Sequence, residues 1–261
     1  MKIKINVKKI LIIIFWLIVW EILDKLINNR IVLVGPINIL ESLIKQMMNS
    51  DFWIITIASF TRITIGFFLS FIVGIVLAMT CYRYKLIQDF LEPVMNTIKT
   101  IPMASFVIML LIWVGNQALT IWLAFLIVLP LIYTNVIEGL NQVDKEMLEM
   151  AEKFKLTPWK KYLYIYRPVV MPFLLSATKT SLGLSWKSGI MAEVMATPKP
   201  SIGREMFAAK TYLQTSNLLA WTIVVIVLSI VFEKVLMKFL ERINSPAGSL
   251  LVKNCEEINN D

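Results

Sequence analysis

The chain has no histidine among its 261 residues, only two cysteines and only nine glycines. Without an imidazole there can be no Ser-His-Asp triad, no Cys-His dyad, no His-Glu-x-x-His zinc helix and no side chain that shuttles protons near neutrality. Cys81 borders an apolar run and Cys255 sits in a polar tail, so no disulfide framework can be drawn and the redox compartment stays open. None of the nine glycines opens a Gly-x4-Gly-Lys-Ser/Thr loop, so the chain lacks that cradle for nucleotide phosphates. Paired carboxylates are missing from the long apolar runs. A membrane enzyme would need such groups, so neither a catalytic residue nor a metal ligand is nominated.

What is abundant is apolar surface. Hydrophobic residues make up 57% of the chain and mean hydropathy is +0.71, whereas a soluble domain is about 45–50% apolar. The first solvent to consider is therefore the bilayer. The net charge of +8 could suit nucleic acid or a lipid surface, but the Lys and Arg residues lie in the gaps between apolar runs. That is the layout of a membrane protein, not of a nucleic-acid binder.

The pattern predicts an all-α bundle of about six transmembrane spans. Lys2, Lys4, Lys8 and Lys9 precede the run Ile10 to Trp20, and no small-residue cleavage site follows, so this is read as an uncleaved first span. The block Phe52 to Tyr82 exceeds the roughly 20 residues that cross a bilayer. It divides into an interfacial helix, Asp51 to Thr61, and a second span, Ile63 to Met79, with Arg62 as an interfacial anchor. A third span covers Ile101 to Val114. After a turn at Gly115-Asn116-Gln117 the fourth covers Leu119 to Val136, the fifth Val169 to Val194 and the sixth Leu218 to Leu236. Lys/Arg residues concentrate at the N-terminus, after span two, after span four and in the tail, which places both termini in the cytoplasm. Residues 1–244 then form the transmembrane domain and 245–261 a polar, mobile cytoplasmic tail. Trp16, Trp20, Trp53 and Trp113 read as belt or packing residues.

Asn141 to Arg167 is far longer than a helix connection requires, and it is patterned throughout. Asp144 is placed to cap a helix in which Met147, Met150, Ala151 and Phe154 recur at one helical face. Thr157 is placed to cap a second, with Pro158 at its first position, Trp159, Tyr162, Leu163 and Tyr166 on one face, and Pro168 as its end. Two amphipathic helices hinged at Lys155 to Pro158 could lie on lipid headgroups or dock into a groove of a cytoplasmic partner. Five acidic residues between Glu138 and Glu152 argue against an anionic lipid surface.

Ionisable groups inside spans are functional candidates by default. Lys179 lies about 15 Å and Lys187 about 27 Å along span five, roughly on one face. They are candidates for the lining of a path that favours an anion. The alternative is that Lys187 snorkels outward and Lys179 pairs within the bundle. Glu193, at the far end of that span, is expected to face water.

The long loop resembles the E-A-A loop of ABC importer permeases. That pattern is Glu-Ala-Ala, three residues, Gly, nine residues, then Ile-x-Leu-Pro. Here Glu149, Met150 and Ala151 stand at its first three places, Lys155 at the Gly place, and Ile165, Arg167 and Pro168 at the closing ones, four identities in seven with the spacing intact. If the family Gly takes a left-handed turn, Lys155 carries a penalty of about 1 kcal/mol there. The resemblance extends to the nitrate/sulfonate/taurine branch through Trp20-Glu21, Pro36, Ile101-Pro102, Lys179, Leu182-Gly183-Leu184-Ser185-Trp186 and Ala192-Glu193.

The resemblance implies a type I permease fold whose loop residues Glu149, Met150, Ala151, Phe154, Lys155, Trp159, Ile165 and Pro168 couple to a separate ATPase. Trp186 joins Lys179 and Lys187 in the implied translocation path. It further implies two copies of a cytoplasmic ABC ATPase that uses the ATP, a second permease copy in a homodimer, and an extracytoplasmic substrate-binding protein. The chain itself would carry no cofactor and sit, multi-pass, in the lipid of a prokaryotic plasma membrane. The cargo would be a sulfonate, nitrate, taurine or a vitamin precursor. A secondary carrier or channel not driven by ATP is the competing class, and it would not require the loop.

Overall fold

The computed structural model describes residues 7–27, 29, 31 and 33–258, with the side chains of Val7, Lys9, Ile10 and Ile13 and of Asn244 onward left undescribed. Lys2 and Lys4 of the charge pattern lie outside the described residues. The described backbone is helical, in chain order α1 (Val7–Ile27), α2 (Pro36–Met47), α3 (Ser50–Arg83), α4 (Lys85–Thr100), α5 (Met103–Asn141), α6 (Lys145–Lys153), α7 (Pro158–Lys161), a π-turn (Tyr162–Tyr166), α8 (Arg167–Ala196), α9 (Ile202–Thr211) and α10 (Thr215–Ile258). By length and composition, α3 and α5 are long and apolar enough to cross a membrane.

Residues 51–79 do not divide into an interfacial helix and a span. α3 is one helix of 34 residues, begun by the Asn49 side chain, which accepts from the Asp51 N–H at 3.3 Å. The expected break at Arg62 is absent because that guanidinium finds protein partners, described below. Thr56 and Thr80 likewise return their hydroxyls to the carbonyls of Phe52 and Val76, at 2.7 and 2.8 Å, and so cost the helix no unsatisfied group.

The turn at Gly115 stands where expected. α5 kinks there at φ 73°, ψ 176°, a backbone region open to glycine. The third apolar segment begins at Met103, not Ile101. Pro102 caps α5 and forces Ile101 into extended backbone at ψ 130°, as the residue before a proline is forced. The stretch between Arg83 and that break is the separate helix α4, whose single buried residue is Met95.

The core is α3, α5 and α8, with α10 alongside. Ile63, Phe67, Ile132, Leu182 and Trp186 are essentially inaccessible at its centre. Small residues let the helices close: a side chain at Gly66 would come within 2.5 Å of the Ile121 carbonyl, so α3 and α5 meet backbone to backbone there. Close van der Waals packing of this kind holds helices together where lipid supplies no hydrophobic drive. Most described side chains of α1 are exposed; Trp20 packs against Val34, Ile39 and Ala220, and Glu21 and Asp24 close over Gly35. Trp16, Trp53 and Trp113 point outward. Beyond Ser245 the backbone continues α10 to Ile258, so no break marks the start of the polar tail.

Candidate functional site

α6 starts as its sequence predicts, with Asp144 Oδ1 accepting from the Glu146 N–H at 2.9 Å. Its apolar residues, however, do not form one stripe. Ala151, 2% exposed, turns inward onto Val143 and Ile165 with Leu148 and Leu156, and forms the base of the loop. Met150, Phe154 and Trp159 stand outward at 53%, 74% and 70% exposure, with Met147 and Glu149 also at the surface. Inner and outer faces therefore separate packing from display.

The α6 terminus explains how. The Leu156 N–H reaches the Ala151 carbonyl and the Lys155 N–H the Glu152 carbonyl, both at 2.9 Å. This double closure returns Leu156 to Ala151 and requires a left-handed residue between. Lys155 is that residue, at φ 48°, so it adopts the conformation expected of glycine at the position.

Two expectations for the second half are corrected. Thr157 makes no side-chain cap; its carbonyl accepts from the Lys161 N–H at 3.0 Å, while Pro158, which has no N–H to satisfy, opens the turn. Nor does Pro168 end the helix. α7 runs through the π-turn, closed by the Arg167 N–H on the Tyr162 carbonyl, straight into α8. The wider turn falls just where Pro168 cannot supply an N–H, and it accommodates the ring in the first turn of α8. Lys161 Nζ lies 3.4 Å from Glu152 across the hairpin, and Arg167 Nη2 donates to the Ile243 carbonyl of α10.

On α8 the residues read as a path are divided. Lys179 and Lys187 are exposed, in a polar stripe with Ser176 and Thr180, and Gly183 between them faces open space. Trp186 is not in that stripe. It is 2% exposed, its ring 5.9 Å from Phe60 and 6.4 Å from Phe232. Its bulk fills the core between α3 and α10.

At the opposite end of α8 from the loop, the structure assembles a buried network that the sequence reading missed. Glu193 does not face water: it is 0% exposed. Its Oε2 accepts from Ser59 Oγ at 2.6 Å and from the Gly203 N–H at 3.1 Å, and Ser59 Oγ in turn accepts from the Ile202 N–H at 2.8 Å. Arg62 is no lipid-interface anchor. Its Nη1 donates to the Pro200 carbonyl at 2.7 Å and lies 3.6 Å from Glu193 Oε1, while Nη2 donates to Gln117 Oε1 at 3.1 Å. One carboxylate and one guanidinium thus join α3, the α5 kink, the end of α8 and the start of α9. Two opposite charges inside apolar blocks, Arg62 and Glu193, were the available signal.

Residues 70–246 match the family described as binding-protein-dependent transport system inner membrane component. The chain is 26% identical over 201 residues to the bicarbonate transport system permease protein of Synechococcus elongatus, covering 72% of this chain and 71% of that one. It is 26% identical over 189 residues to the nitrate import permease protein of a Synechocystis species, covering 69% and 68%. It is 20% identical over 220 residues to the taurine transport system permease protein of Escherichia coli, covering 82% and 80%.

Proposed function

We propose from one premise: the chain belongs to the family of binding-protein-dependent transport system inner membrane components, matched over residues 70–246. It is an inner-membrane permease subunit of an ABC importer, a transport component and not an enzyme. The finer reading is that the loop from Asn141 to Arg167 docks into a groove of a cytoplasmic ABC ATPase, two copies of which hydrolyse the ATP for a multi-pass permease homodimer embedded in lipid. An extracytoplasmic binding protein delivers the cargo.

One observation carries this reading. Met150, Phe154 and Trp159 are held more than half exposed on a base made rigid by Ala151, Ile165 and the left-handed Lys155. Apolar side chains of that size, presented together beside Glu149, suit a partner's groove better than water. Burying each would contribute about 1.5–3 kcal/mol. For the cargo, Lys179 and Lys187 on the open stripe of α8 support a small anion, the class to which bicarbonate and nitrate belong.

The docking reading is tested by replacing Met150 and Phe154 with Asp, and separately Glu149 with Lys, and measuring copurification with the ATPase and uptake. Loss of both, with the helix bundle's melting unchanged, is expected. Retention of association and uptake in either variant refutes the docking role of the residues it replaces.

A further inference from the structure

Between α2, α9 and the first turns of α3 and α10, at the Glu193 end of the bundle, lies a cavity of about 410 Å³. Phe52 and Trp221 form its floor, stacked with ring centroids 5.0 Å apart and planes 22° from parallel. Asp51 and Glu205 stand on its walls, and neither has an ion-pair partner among the described residues. No basic residue is in the lining.

The amide wall adds to the excess of acceptors. Asn217 Oδ1 accepts from Ser42 Oγ and, at 3.2 Å, from Gln46 Nε2, while Asn217 Nδ2 donates to Gln214 Oε1 at 2.6 Å. That arrangement leaves Gln46 Oε1 buried with no donor among the described residues. Two carboxylates beside a π-face call for a cation carrying several N–H groups. A guanidinium meets both demands at once, with a planar fork for the carboxylates and a face for the rings.

The rim identifies what carries that cation. Tyr212 of the lining is 73% exposed, and Met48 and Leu213, each next in sequence to a lining residue, are 84% and 62% exposed. Exposed Met and aromatic side chains around a polar, concave centre have the anatomy of a protein interface, whereas a free ion would gain nothing from them. Resting on the import reading above, in which this end of the bundle faces away from the ATPase, we propose that the cavity receives an arginine side chain of the extracytoplasmic binding protein. Asp51 and Glu205 clamp it over the Phe52–Trp221 floor.

The test uses the permease–ATPase complex in lipid nanodiscs with its fluorescently labelled binding protein. Asp51→Asn combined with Glu205→Gln keeps shape and removes the charge; affinity is expected to fall about tenfold or more, and its dependence on salt to flatten. Ala208→Arg, which tethers a competing guanidinium inside the cavity, is expected to weaken docking comparably. Both variants should retain the wild-type melting temperature and basal ATP hydrolysis. Wild-type affinity in both variants overturns the proposal. So does a loss that leaves the salt dependence unchanged, because the charges are then not engaged. A wild-type complex that binds no protein at all refutes the import reading and this inference together, whereas wild-type binding matched by the variants refutes the cavity alone.

Discussion

Removing Arg62 should cost more than removing the charge it faces. Arg62→Met strips the guanidinium from beside a carboxylate that is fully buried, leaving Glu193 with only the Ser59 hydroxyl and the Gly203 N–H. Breaking a buried pair from one side costs about 3–5 kcal/mol, and the Pro200 and Gln117 acceptors lose their donor as well. Glu193→Gln is milder, because an amide oxygen still accepts from both donors and Arg62 keeps its two neutral partners; about 1–2 kcal/mol is expected. The double variant removes both charges together and should be less destabilised than the sum by about 1–3 kcal/mol. Thermal unfolding of the purified protein in detergent measures all three. The shift for Arg62→Met should be on the order of 6–20 °C at about 2–4 °C per kcal/mol for a chain of this size. Strictly additive losses, or a larger loss for Glu193→Gln than for Arg62→Met, would refute the view that the pair is electrostatically coupled.

Gly66→Val should overpack the α3–α5 contact, where even a Cβ would sit 2.5 Å from the Ile121 carbonyl, and lower stability by about 1–3 kcal/mol in the same melts. Lys155→Gly should relieve left-handed backbone strain and raise loop stability by up to about 1 kcal/mol, read as slower amide exchange of Leu156 with uptake intact. Ala151→Asp should place a charge in the Val143–Ile165 base, melt the hairpin and abolish ATPase association, whereas the exposed-site change Trp159→Asp should abolish association with amide protection of the hairpin retained. Lys179→Gln together with Lys187→Gln should depress anion uptake several-fold without changing the melting temperature, and unchanged uptake counts against the path.

Periodicity and composition made most of the helices legible. The run from Val169 to Val194, the glycine turn at 115–117 and the Asp144 start of α6 all stand in the structure because each rests on a local rule. The left-handed Lys155 was legible only through the position's usual occupant, since nothing in the lysine itself announces that conformation. Local rules failed where tertiary partners override them. Arg62 reads as a break in an apolar helix until Pro200, Gln117 and Glu193 come round to meet it from 55 to 138 residues away. Ala151 and Phe154 share a helical face on paper, yet the C-terminal closure of α6 draws one in and leaves the other out. Trp186 entered the implied path through the family resemblance, whereas in the structure a ring of that size is drawn into the aromatic packing of α3 and α10.

The uninterrupted passage from α7 through the π-turn into α8 makes the chain from Pro158 to Ala196 a single rod of about 58 Å, longer than the roughly 30 Å hydrocarbon layer. Trp159 stands at one tip and Glu193 near the other, with the two lysines on its shaft. On the docking reading proposed above, thrust at Trp159 would pass along this helical path, by way of the π-turn and Pro172, toward Arg62 and Glu193. On that reading the loop would be the crank pin and the Arg62–Glu193 pair the distant bearing. The surplus residue wound into the π-turn is the slack in the thread, enough to turn the shaft by about 100° if one turn tightens.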